Sequence, residues 1–67
     1  MRYVDFRDRI ITELRRNKSG LTWKELREKL DLPYKTPCPE WVKRMEEEDG
    51  LVREKGSGRA LMWKTGR

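Results

Sequence analysis

Glu46, Glu47 and Glu48 form the densest group of side chains in the chain able to ligate a metal or move a proton. Their spacing defeats both uses. Successive positions on a helix are turned by about 100°, so three consecutive carboxylates splay apart and cannot converge on one ion or one reacting atom. The chain has no His and a single Cys, Cys38. A zinc site asks for about four Cys or His ligands, and a thiol nucleophile asks for a neighbouring base. One cysteine also rules out an internal disulfide. Gly56-Ser57-Gly58 has the composition of a phosphate-cradling loop, but the spacing of a nucleotide-binding motif and the helix that should follow are both missing. The expectation is therefore no metal, no cofactor, no small-molecule substrate and no enzymatic activity.

What remains is the chemistry of cations. Seventeen Lys and Arg face twelve Asp and Glu, for a net charge of +5. Their distribution is uneven. Residues 39–52 carry five acids and two bases, whereas residues 53–67 carry five bases and one acid. A basic segment of this kind suits an acidic partner such as nucleic acid.

Sixty-seven residues make one domain, near the lower limit for folding alone, with no room for a deep substrate cavity. The charged fraction of 43% favours disorder, but three Trp, two Tyr, one Phe and regular apolar spacing favour a folded domain with a heavily solvated surface. No apolar run approaches the ~18 residues of a membrane span and no signal peptide opens the chain, which points to the cytoplasm. The absence of Gln, a single Asn and the abundance of Glu, Lys and Arg resemble the composition of proteins from hot environments.

The elements that must position the cations follow from periodicity. Tyr3, Phe6, Ile10, Ile11 and Leu14 make one apolar stripe, which predicts a helix over 3–17 stopped by Gly20. Thr22-Trp23-Lys24-Glu25 is a capping box, with Leu21 and Leu26 placed as a hydrophobic staple. It opens a second helix over 23–30, which ends before Pro33. Two registers are open for the third start: Thr36 capping with Pro37 at the first helical position, or Cys38 capping with Pro39 there. Trp41, Val42 and Met45 form the inner face of that third helix, over 39–48, and Gly50 follows it. Residues 51–55 and 60–64 flank a Gly-rich turn and read as a β-hairpin with Leu61 and Trp63 on one side. Trp23, Trp41 and Trp63 each sit in register with apolar neighbours and are expected in the core, whereas Tyr34 lies outside any apolar stripe.

The stretches "LTWKELREKLDLP" and "WVKRMEEEDGLVREKGSGRALMW", in this order, resemble the winged helix-turn-helix family over about residues 3–65. The resemblance implies an α+β fold, a three-helix bundle with a C-terminal β-hairpin wing. It also implies double-stranded DNA binding by a small transcriptional regulator, through the third helix and the basic wing. Carried onto this chain, the contacts are Lys24 at the start of the second helix, Tyr34, Lys35 and Thr36 before the third, Lys43 and Arg44 along it, and Arg53, Lys55, Arg59 and Lys64 on the hairpin. The Glu-rich end of the third helix is common in the family and lies away from the bases. The segment holding Pro33, Pro37 and Pro39 is longer than the family's usual turn. A homodimer is expected if palindromic half-sites are read. The competing expectation is a protein-docking module, favoured by the acids on the third-helix segment.

Overall fold

The computed structural model describes residues 1–56, Gly58 and residues 60–66. The elements run α1 (Tyr3–Arg16), β1 (Leu21–Thr22), α2 (Trp23–Leu30), α3 (Pro39–Glu48), β2 (Leu51–Lys55) and β3 (Leu61–Thr65). The three helices and the antiparallel sheet make a small α+β fold. Helix α1 stops one residue short of the expected end because Asn17 turns back on it. The Asn17 N–H donates to the carbonyls of Glu13 and Leu14, and its side-chain amide donates to the Glu13 carbonyl (2.8 Å) and carboxylate (2.9 Å).

Three starts and stops decide where the later elements sit. The capping box at Thr22 forms in both directions: the Glu25 N–H donates to Thr22 Oγ1 at 3.2 Å, and the Thr22 N–H donates to Glu25 Oε1 at 2.9 Å. Asp31 ends α2 in a left-handed conformation (φ 50°), and the Leu32 N–H donates to the Arg27 carbonyl at 3.0 Å. Leu32 thereby drops into the core. Of the two registers open for α3, Cys38 precedes the helix and Pro39 takes its first position, where a missing N–H costs nothing.

The sheet has order β1-β3-β2. Strand β1 was not anticipated. Its two residues pair Leu21 with Trp63 and Thr22 with Met62, too short a run to show any alternation. Hairpin register puts Leu51 opposite Thr65, Arg53 opposite Trp63 and Lys55 opposite Leu61. Gly20 makes the close approach of β1 possible. It has φ +95°, and a Cβ there would stand 2.9 Å from Lys64 Cγ and 3.1 Å from the Trp63 carbonyl.

Phe6, Ile10 and Leu14 of α1, Leu26 of α2, Val42 and Met45 of α3, Leu51 and Trp63 form one core. Of the three tryptophans only Trp63 is fully inside. Trp23 and Trp41 pack on the core's rim half-buried, because an indole at a helix start has the core on one side only. Tyr34 joins them despite its irregular position, edge-on to Phe6 at 5.8 Å and to Trp41 at 6.0 Å. Among the described residues no helix is long and apolar enough to cross a membrane.

Candidate nucleic-acid interface

The candidate contact cations among the described residues fall into two sets. Arg44, Arg53 and Lys64 are held by acids. Arg44 Nε lies 2.6 Å from Glu48 Oε2, and its guanidinium sits 4.4 Å from the centre of the Tyr3 ring. Arg53 lies 3.7 Å from Glu46 Oε1 and 5.6 Å from the Trp63 ring centre. Lys64 Nζ reaches Glu54 Oε2 at 3.4 Å across the hairpin. Lys24, Lys35, Lys43 and Lys55 are exposed and make no ion pair with any described residue. Arg59 lies outside the described residues.

The glutamate run is split in the way its spacing requires. Glu46 points to the sheet through Arg53, and Glu48 to Arg44 on the flank next to α1. These are exposed pairs, individually weak and weakened further by salt. They restrain the arginines without committing them, and a phosphate can compete for the same guanidinium.

The connection from α2 to α3 is anchored at one carbonyl. The Trp23 indole N–H donates to the Lys35 carbonyl at 3.0 Å, and Arg27 Nη1 donates to the same oxygen at 3.3 Å. Lys35 and Thr36 are therefore held beside the start of α2 with their side chains exposed. Tyr34 spends its ring on packing against Phe6 and Trp41.

Sequence reasoning missed the concave feature that gathers these residues. A cleft of about 340 Å³ opens between the start of α2 and the hairpin, lined by Trp23, Lys24, Pro37, Arg53, Ala60, Leu61 and Trp63. Trp23 stacks on Trp63 at its side (5.5 Å, 28° between planes). Lys55 is the cross-strand partner of Leu61, and Lys35 is tied to Trp23. Lys24 thus lines this feature, and Lys35 and Lys55 lie next to two of its lining residues, Trp23 and Leu61. The signal for it lies in the pairing of Leu21 with Trp63, which no local pattern carries.

The outer positions of α3 mix both signs of charge. Glu40, Lys43 and Glu47 follow one another at helical spacing and are all exposed, so the one unpaired lysine of α3 stands between two acids.

Comparison with models of protein families, with curated proteins and with solved structures finds no match for the chain. The class rests on the fold alone: a small α+β domain of three helices with a three-stranded antiparallel sheet.

Proposed function

We propose that the chain is a winged helix-turn-helix domain that binds double-stranded DNA, as a small transcriptional regulator, chiefly through the phosphate backbone. The element order and the β1-β3-β2 sheet are compatible with that layout. The observation that carries the reading is that exposed Lys24 and Arg53 line one cleft, with Lys35, whose carbonyl bonds the Trp23 indole, and Lys55, the cross-strand partner of Leu61, next to its lining residues. Phosphate contacts fix position and supply most of the salt-dependent affinity, and lysines on flexible stems suit them. Lys43 between Glu40 and Glu47 adds little to base discrimination. The wing's further basic residue, Arg59, belongs to the same proposal from its sequence position.

A second reading, docking onto another protein, is favoured by the exposed acids Glu40 and Glu47 on α3. Titrating the chain with a short random duplex at several salt concentrations separates the two. Backbone binding predicts a log–log slope of about −4 to −6, at about −0.9 per neutralised phosphate. Replacing Lys24, Lys35 or Lys55 by Ala should each flatten that slope by about one unit. Absence of binding near 50 mM salt, roughly the low end of the usual range, would transfer the reading to protein docking.

A further inference from the structure

We propose that the cleft between the start of α2 and the hairpin receives one unstacked nucleobase from a frayed or single-stranded segment of nucleic acid. The inference rests on the nucleic-acid reading above and adds to it a ligand for the apolar part of that surface. Phosphates need only the lysines. They leave unexplained why Leu61, 41% exposed, lines the same cleft as Pro37, Trp23, Lys24 and Arg53.

The lining asks for a flat apolar body with an anion attached. A nucleotide has that form: its base can lie against the indole and the leucine while its phosphate meets Lys24 or Arg53. Aromatic stacking of this kind tolerates any base, because every base has a π-face. The Trp23 ring is already oriented by its N–H bond to the Lys35 carbonyl and by stacking on Trp63, so the wall is formed before the base arrives. Arg53 lies over Trp63 and only 3.7 Å from Glu46, so it can exchange that exposed carboxylate for a phosphate. A base inside a regular duplex is unavailable, since extracting it means unstacking and unpairing. The occupant must therefore come from an end, a bulge or a single strand.

The test is fluorescence anisotropy on three labelled probes: a short blunt duplex, the same duplex with a tail of a few thymidines, and the same duplex with an abasic tail of equal length. The thymidine tail should tighten binding about tenfold over the blunt duplex, and the abasic tail should give little of that gain. Leu61→Ser, a change at an exposed position, should bring the ratio of tailed to blunt affinity close to one. Equal affinity for all three probes overturns the inference and leaves duplex binding standing. Equal gains from thymidine and abasic tails overturn it too, because the added phosphates then account for the effect. Binding of the thymidine-tailed probe alone supports the cleft and removes the duplex reading. If no probe binds while an acidic aromatic peptide quenches tryptophan emission, the cleft belongs to a protein partner and both readings fall.

Discussion

The indole of Trp23, at the first position of α2, lies stacked on the indole of Trp63 in β3, with ring centroids 5.5 Å apart and planes 28° apart. This contact joins the helical half of the domain to the sheet at the edge of the proposed binding surface. Trp63 is 2% exposed and Trp23 half-buried, so one ring belongs to the core and the other forms the wall that meets solvent.

Glu46 should act as a competitor for Arg53. Removing its charge with Glu46→Gln frees the guanidinium, 3.7 Å away, for phosphate. Duplex affinity at low salt should rise about two- to fivefold, the worth of an exposed pair, and the gain should shrink as salt is added. An unchanged affinity at every salt concentration would show that Arg53 takes no part in binding.

Arg44, a candidate DNA contact, covers the Tyr3 ring and pairs with Glu48 while its side chain stays 57% exposed. Burial pushes the Tyr3 phenol above its ordinary value, and the guanidinium sits 4.4 Å from the centre of its ring. Arg44→Ala should lower stability slightly, through loss of the cation–π contact and of the Glu48 pair, measured by urea unfolding, and should leave the salt slope of duplex binding in place. A slope one unit flatter would instead make Arg44 a phosphate ligand.

Gly20→Ala should destabilise the domain by about 1–3 kcal/mol, because φ +95° is unfavourable for any residue with a Cβ. Crowding against Lys64 Cγ adds to this, but Lys64 is flexible. The double variant with Lys64→Ala should therefore recover only a small part of the loss. Full recovery in chemical denaturation would assign the effect to crowding alone.

The capping box should make α2 sensitive to acid. Hydrogen bonds from the Thr22 backbone N–H and then its hydroxyl hold the Glu25 carboxyl below its ordinary value of 4.5. A depressed carboxylate contributes stability that is fully present above 4.5 and is lost as pH falls from there through the lower folded-state value. Glu25→Gln, which removes the titrating group, should make the acid-induced loss of stability over that window smaller than in the parent protein. Parallel pH–stability curves for the two proteins would refute the assignment.

Periodicity and cap residues made the three helices and the hairpin legible because each of those signals is local. Thr22 and Glu25 are three positions apart, and Pro39 and Gly50 each act on their own turn. Strand β1 was invisible because Leu21 and Thr22 become a strand only by lying against Trp63 and Met62. The same reason hid the cleft, whose walls come from Trp23, Pro37 and Leu61. The candidate cations were readable as residues, but their partners were not. Arg53 meets Glu46 across an element boundary, and Arg44 covers a tyrosine near the start of the chain. Tyr34 misled for want of periodicity: a residue on an irregular connection can still fill the gap between two aromatic rings.

The single carbonyl of Lys35 has a consequence for thermodynamics. Trp23 and Arg27 both donate to it, and Trp23 also leans on β3. The proline-containing connection, the start of α2 and the hairpin are thus fastened to one another before any partner arrives. A surface assembled in advance loses little conformational freedom on association. Heat-capacity and entropy changes on binding should then match rigid docking of the area covered, without the extra signature of a segment that folds as it binds.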